Sequence, residues 1–348
     1  MKIAQIAPLA ESVPPRLYGG TERVVSYLTD ELVRLGHEVT LFASADSSTR
    51  ARLLACAPRA LRLDRGVRDP LPHLLLMLER VRQRSHEFDV LHFHIDPPLH
   101  FPLFRGLADK TLTTVHGRLD LPDLQPLFHE FSDMPLASVS DSQRRPLPGV
   151  NWVGTVHHGL AAEVCPFNPA PRGNYFAFLG RVSPEKGIER AILIARAARV
   201  RLRIAAKVDA VDEKYFRERI APLLGGPVEY IGELGEGEKP AFLGNASALL
   251  FPIDWPEPFG LAMIEAMACG TPVLAWRNGA VPEIVEHGVS GFIVDSIDQA
   301  VACLPRLARL DRTWVRARYE ARFTGARMAR DYLAVYRALG RRYHLKAV

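Results

Sequence analysis

Cysteine is scarce: Cys56, Cys165, Cys269 and Cys303 are the only four in 348 residues, and they stand far apart. That spacing fits no zinc or Cys-x-x-Cys motif and no disulfide framework, so free thiols in a reducing compartment are expected. Long apolar runs are missing too. The densest, Leu74 to Leu78, falls far short of the ~20 residues that span a bilayer. The opening Met1-Lys2-Ile3-Ala4-Gln5-Ile6 reads as a strand rather than a leader, and a cytoplasmic protein is expected. Lysine is sparse beside arginine, and no basic tract is interleaved with aromatics, which argues against single-stranded nucleic acid as a partner. The net charge of +5 is modest for this length. No Asp-x-Asp pair is present to hold a divalent metal, and no Gly-x-Gly-x-x-Gly is present to bind a dinucleotide.

What remains is a globular composition, 48% hydrophobic and 24% charged, at a length that suits two domains. Ile3 to Ala7 reads as a buried strand. After a Pro- and Gly-rich loop, Val24, Val25, Leu28, Leu32 and Leu35 recur at helical spacing until Gly36, and Val39 to Ala43 is the next strand. This β-α-β unit implies a parallel pair with a right-handed crossover. Residues 46 to 88, Arg-rich and weakly patterned, are expected to be helical. Strands follow at Val90 to Phe93, Thr111 to Val115, Leu136 to Val139 and Val153 to Val156. Their ends carry His92, His94, His116, Ser140, Asp141, His157 and His158, and ligand crevices lie beyond the carboxyl ends of parallel strands. His92 and His94 share a strand face, but no third ligand stands at a useful spacing for a metal.

Cys165 to Asn174 is a linker by composition. A second strand–helix series then opens with Tyr175 to Leu179, runs through Leu202 to Ala205, Val228 to Ile231, Ala248 to Phe251 and Val273 to Ala275, and ends at Phe292 to Val294. Between the strands Ala248 to Phe251 and Val273 to Trp276 lies Glu257-Pro258-Phe259-Gly260-Leu261, leading into a helix that Gly270 and Pro272 stop. A helix opening at Phe259-Gly260 offers free N–H groups and a positive dipole end to an anion. Carboxylates at Glu257 and Glu265 flank it, an arrangement suited to a sugar nucleotide; a buried helix whose carboxylates merely cap or pair reads equally well from these residues alone. From about Leu304 the sequence is helical and rich in arginine, from Arg306 to Arg342. The expected arrangement is a solvated basic face with Tyr332, Leu333, Val335, Tyr336 and Leu339 packed inward; a peripheral membrane contact is the alternative.

Gly180-Arg181 through Lys186-Gly187, the Glu257 and Glu265 pair, Asn278-Gly279-Ala280-Val281-Pro282-Glu283 and the Gly19-Gly20 loop together resemble the family 4 glycosyltransferases, retaining enzymes of the GT-B fold. The resemblance implies two doubly wound Rossmann-like domains facing across a cleft, with the last helix crossing back to the first. The amino-terminal, acceptor-side domain would be 1–165 plus about 326–348, and the nucleotide-sugar domain 172–325. It implies transfer of a hexose-type sugar from a nucleotide-diphosphate sugar, UDP- favoured over GDP- or ADP-, to a hydroxyl of a sugar, lipid or small molecule with an α-linkage. No cofactor or metal is implied. Arg181 and Lys186 match the basic pair on the donor diphosphate, and Glu257 the carboxylate on the sugar hydroxyls. Phe259, Gly260 and Leu261 match the amides near phosphate and sugar, and Glu265 the ribose ligand. Gly19 and Gly20 match a loop reaching the diphosphate, and His116 a donor-sugar contact. The strand end at Ala205 to Asp209 lacks a glycine that many relatives carry near the base, and the segment Gln143 to Gly149 is too interrupted for the helix commonly found there. Two other readings stay open. One is a non-hydrolysing sugar-nucleotide epimerase using Asp96 and Asp120; the other is a non-catalytic nucleotide-sugar sensor.

Overall fold

The structure is a computed structural model that describes residues 1–17 and 19–344, without the side chains of 63 and 341–344. Tyr18, in the turn before Gly19, and the side chains of Arg341 and Arg342 in the basic run therefore lie outside the described residues. The residues form two compact units, Met1–Ala161 with Gly325–Val348, and Ala162–Thr324.

The first unit holds β1 (Lys2–Ile6), β2 (Glu38–Ser44), β3 (Arg52–Ala57), β4 (Val90–Phe93), β5 (Thr111–Thr114), β6 (Leu136–Ser138) and β7 (Trp152–Thr155), ordered β3-β2-β1-β4-β5-β6-β7. The second holds β8 (Phe176–Arg181), β9 (Leu202–Lys207), β10 (Val228–Gly232), β11 (Ala248–Phe251), β12 (Val273–Trp276) and β13 (Gly291–Val294), ordered β10-β9-β8-β11-β12-β13. Every pairing between these strands is parallel. Strands covered by helices on both faces read as apolar runs, and Ile3, paired with both Val39 and Val90, is fully buried. In each sheet the chain builds outward to one edge and then restarts beside its first strand. The order therefore reverses between β1 and β4, and between β8 and β11, and the carboxyl ends beside such a reversal are where doubly wound sheets bind ligands.

The helical expectation for residues 46 to 88 is corrected at β3. This edge strand pairs with β2 alone, and its Arg-Leu-Leu-Ala-Cys-Ala run has no alternation to mark it. The helix Leu71–Gln83 follows it. Helix ends match the glycine signals. After Gly20–Arg34, Gly36 N–H donates to Val33 O and His37 N–H to Leu32 O; after Leu261–Ala268, Gly270 donates to Met267 O and Thr271 to Ala266 O. These reverse-turn bonds satisfy carbonyls that the helix leaves open.

Residues 165–174 are not a free linker. Asn168 N–H donates to Cys269 O and Gly173 N–H to Asn245 O, which ties the segment into the second unit. The last helix, Gly325–His344, belongs to the first unit, where it packs on Gly20–Arg34 and buries Tyr332, Tyr336 and Leu339. The arginines before it and in its first turn are only partly a solvated face. Arg312 donates to the carbonyls of Asn168, Ala246, Gly244 and Cys269 and to the Thr271 hydroxyl. Arg316 reaches Cys165 O and Ala268 O, Arg322 reaches Glu283 O, and Arg327 reaches His157 O and His158 O. A cation that closes off helix-end carbonyls also complements their negative dipole. No helix among the described residues is long and apolar enough to cross a membrane.

Candidate active site

In the carboxy-terminal unit the strands flanking the order reversal deliver the expected residues. β8 ends on Gly180-Arg181, and a short turn, Pro184–Lys186, precedes the helix Ile188–Ala198. β11 ends at Phe251 and leads into the loop that carries Glu257. The two loops are pressed together backbone to backbone: Asp254 N–H donates to Glu185 O at 2.8 Å. Gly187 has φ +72°, and a Cβ there would lie 1.9 Å from Pro252 O, so only glycine lets Lys186 sit against this loop.

Lys186 Nζ bonds Glu257 Oε2 at 2.6 Å, with only 14% and 11% of the two side chains exposed. Trp255 Nε1 donates to the same oxygen at 3.0 Å, and its ring lies 4.6 Å beneath the ammonium. Trp255 therefore fixes both members of the pair, a role that sequence reading missed; an aromatic two residues before Glu257 on a tight loop was the available signal. The Asn278-Gly279-Ala280 segment clamps this loop from the other side. Ala280 N–H donates to Glu257 O, Asn278 Nδ2 donates to Ile253 O, and a Cβ on Gly279 would lie 2.3 Å from Glu257 N and O.

The helix Leu261–Ala268 opens from Gly260, at φ +91° and without a side-chain cap. Met263 N–H turns back to Gly260 O, while the amides of Leu261 and Ala262 find no acceptor among the described residues. Such amides, at the positive end of a helix, hold an anion. Phe259 is buried and packs edge-on against Phe323 at 6.1 Å, which anchors the loop. Glu265 is 5% exposed, yet no hydrogen bond or ion pair engages its carboxylate among the described residues. Neither of its oxygens is among the enclosed side-chain atoms that lack a partner, so the carboxylate remains open to a ligand.

Arg181 is held by Glu185 at 3.3 Å and Asp209 at 3.4 Å, and Lys207 joins Asp209 at 2.9 Å. Asp209 sits below the usual carboxylate range: its partial burial pushes the other way and is outweighed by Lys207 and Arg181. Arg181, Lys186 and Lys207 thus face Glu185, Glu257 and Asp209. These countercharges were not read from the sequence, because Asp209 stands 28 residues from the arginine it meets.

In the amino-terminal unit His116 follows β5, with its ring stacked 5.2 Å from His158 and its Nε2 bonded to His94 Nδ1 at 2.9 Å. Desolvation of the half-buried ring pushes His116 down to about 3, so it is neutral. The ring nitrogens of His92 and His94 are taken by Tyr336, Thr114, Gln5 and His116, and among the described residues no three metal-ligating side chains converge. Gly19 and Gly20 open the first helix, and a Cβ on Gly19 would lie 2.7 Å from Pro15 Cβ. Asp120 is paired with Arg118 at 2.6 Å, and Asp96 accepts from Gly117 N–H. The Ser140-capped helix after β6 is only Asp141–Arg144.

Residues 166–310 match the family model described as glycosyl transferases group 1, and residues 18–172 match that of glycosyltransferase family 4. A phosphatidyl-myo-inositol mannosyltransferase of Mycolicibacterium smegmatis is 27% identical, over 92% of this chain and 88% of that protein. A D-inositol 3-phosphate glycosyltransferase of Mycobacterium sp. is 34% identical over 43% of this chain and 35% of its own. Among solved structures, AviGT4, a glycosyltransferase involved in avilamycin A biosynthesis, superposes with a TM-score of 0.74 at 26% identity, covering 97% of this chain and 98% of that one. Anabaena HepE in complex with UDP and glucose shares the fold with a TM-score of 0.71 at 18% identity, covering 96% and 98%. The two family models run together from residue 18 to residue 310, over both parallel sheets and through both loops of the site, and the chain belongs to the family 4 glycosyltransferases with the GT-B fold.

Proposed function

We propose that this glycosyltransferase is a retaining enzyme that moves a hexose from a nucleotide-diphosphate sugar, UDP- favoured over GDP- or ADP-, to a hydroxyl acceptor, forming an α-linkage. One observation carries the reading: the buried Glu265 carboxylate lacks a hydrogen-bonding partner on a helix whose first amides also lack acceptors, beside Arg181 and Lys186. Glu265 would take the ribose diol, the Leu261 and Ala262 amides with Arg181 and Lys186 the diphosphate, and Glu257 the sugar hydroxyls. Gly19 and Gly20 would approach the phosphates, and His116 would contact the sugar.

Breaking the bond from the anomeric carbon to the diphosphate leaves negative charge on the departing phosphate. Arg181 and Lys186 would meet that charge, Arg as a fixed fork and Lys as a point charge, and preorganised donors of this kind supply several kcal/mol (~3 per donor removed). Because Arg181 and Lys186 are both paired with carboxylates, the donor would exchange a phosphate for a carboxylate at each. That exchange frees Glu257 for the sugar in the step that binds the phosphate. Front-face attack by the acceptor, with the leaving phosphate oxygen taking its proton, would preserve the anomeric configuration. A cytoplasmic location and independence of metal belong to the same reading. The relatives' acceptors make an inositol-type hydroxyl a substrate to include in the first panel.

The test is a titration with UDP-, GDP- and ADP-sugars, followed by turnover on a hydroxyl panel and assignment of the product linkage. Binding of a UDP-sugar that Glu265→Ala abolishes supports the reading. Saturation by none of the three overturns it, and a β-linked product from an α-linked donor overturns retention.

A further inference from the structure

His92, His94 and His116 belong to one unbroken series of hydrogen bonds inside the amino-terminal unit, and Gln5 sits at its middle. Gln5 Nε2 donates to the Tyr336 hydroxyl at 3.2 Å, and Gln5 Oε1 meets His94 Nε2 at 2.7 Å. An amide oxygen only accepts, so His94 carries a proton on Nε2. Full burial of His92 and His94 and desolvation of the half-buried His116 keep the three rings neutral, which leaves one proton on each. His94 Nδ1 is then bare and accepts from His116 Nε2 at 2.9 Å, so His116 has no proton on Nδ1.

The other direction agrees. The Tyr336 hydroxyl accepts from Gln5 and so donates to His92 Nδ1 at 2.8 Å. His92 then carries its proton on Nε2 and donates to Thr114 Oγ1 at 2.7 Å, which meets the Tyr332 hydroxyl at 3.0 Å. All three rings share the Nε2–H form. The end of the series is His116 Nδ1, which is buried and has no partner. A bare nitrogen there lacks a donor, and a sugar hydroxyl is a donor of the right chemistry.

We propose that Gln5 and His94 are positioning residues that hold His116 in its Nε2–H tautomer, so that His116 Nδ1 serves a donor-sugar hydroxyl only as an acceptor. The Tyr332 and Tyr336 hydroxyls extend this control to the last helix. The proposal rests on reading His116 as the sugar contact. Reversing the Gln5 amide would reverse every bond and place a proton on His116 Nδ1 with no acceptor.

The experiment is long-range ¹H–¹⁵N correlation of the histidine rings in the full chain at neutral pH, assigned by single His→Asn variants. His92, His94 and His116 are expected as Nε2–H; an Nδ1–H or doubly protonated His116 in the wild type overturns the proposal. Gln5→Met removes the amide at nearly constant volume. It should turn His116 from one form into a mixture whose minor form exceeds about a tenth, since a single net hydrogen bond biases such an equilibrium by up to roughly tenfold. A His116 that keeps one form in folded Gln5→Met also overturns it. UDP-glucose and GDP-mannose, each compared with the nucleotide alone, separate the two claims. A shift of Nδ1 that needs the sugar supports both. Tautomers as assigned with no sugar-dependent shift leave the hydrogen-bond order standing and remove the sugar-contact reading.

Discussion

Replacing Lys186 with methionine separates the stability of the site from its function. The Lys186–Glu257 pair spans 2.6 Å between side chains that are 14% and 11% exposed. At an effective dielectric constant of about 20 the attraction is roughly 6 kcal/mol, and the desolvation of two ions offsets most of it. Removing one partner leaves the other buried, which costs about 3–5 kcal/mol. Trp255 Nε1 still donates to Glu257 Oε2, so Lys186→Met should fall at the lower end, about 3 kcal/mol. The double variant Lys186→Met, Glu257→Gln removes both charges and should recover most of that loss, giving a coupling of about 2–3 kcal/mol. Donor affinity should not recover. Losing a charge-assisted bond to phosphate costs about 1.5–3 kcal/mol, a weakening of roughly 10- to 150-fold in UDP-sugar titrations of single and double variants alike. Urea unfolding of the carboxy-terminal unit supplies the stabilities. A coupling below about 0.5 kcal/mol, as for an exposed pair, would refute the reasoning, as would a double variant that binds donor like the wild type.

Glu265→Ala should leave stability within about 1 kcal/mol of the wild type, because no hydrogen bond or ion pair of the carboxylate is lost, while nucleotide affinity falls at least tenfold by calorimetry. Arg312→Met strips donors from four carbonyls and a hydroxyl and should cost about 3–5 kcal/mol in urea; Arg312→Lys should not restore it, since an ammonium cannot reproduce the fork. Gly279→Ala, with its Cβ 2.3 Å from the Glu257 backbone, should displace that loop and weaken donor binding more than tenfold, read by the same titration. Acid should destabilise the amino-terminal unit. Burial lowers His92, His94, His100, His116 and His158, with His100 and His116 pushed down to about 3. Above ~6.5 neither state binds these protons; below it the unfolded chain does and the native fold refuses them. For His100 and His116 stability is therefore lost as pH falls from ~6.5 toward 3, by about 1.4 kcal/mol per unit and ring, or about 2 kcal/mol per ring at pH 5, and His92, His94 and His158 act in the same direction. Glu22, raised by burial, acts in the opposite direction only near the carboxylate range. Equal urea midpoints for this unit at pH 7 and pH 5 would contradict the account.

The sequence made legible what local pattern can carry. Apolar runs marked twelve of the thirteen strands, and Gly36 and Gly270 marked helix ends, because parallel strands buried on both faces and glycine-closed helices leave local signatures. β3 escaped because its apolar run, Leu53 to Ala57, has no alternation and reads equally as helix or strand. Pairing at long range escaped as well. Arg312 looked like part of a solvated stripe, yet it closes carbonyls up to 144 residues away. Asn278-Gly279-Ala280 was visible as a motif, but its work is backbone contact with Glu257, which no periodicity records. His92, His94 and His116 could be named one by one; that Gln5 and Tyr336 order them depends on β1, β4, β5 and the last helix meeting in space.

The most direct test is a crystal structure of the full chain with a UDP-sugar bound. The account predicts that Lys186 Nζ leaves Glu257 for a phosphate oxygen, that Arg181 and the Leu261 and Ala262 amides hold the rest of the diphosphate, and that the Glu265 carboxylate bonds the ribose diol. A bound nucleotide that leaves the Lys186–Glu257 pair intact and Glu265 without a partner would contradict it.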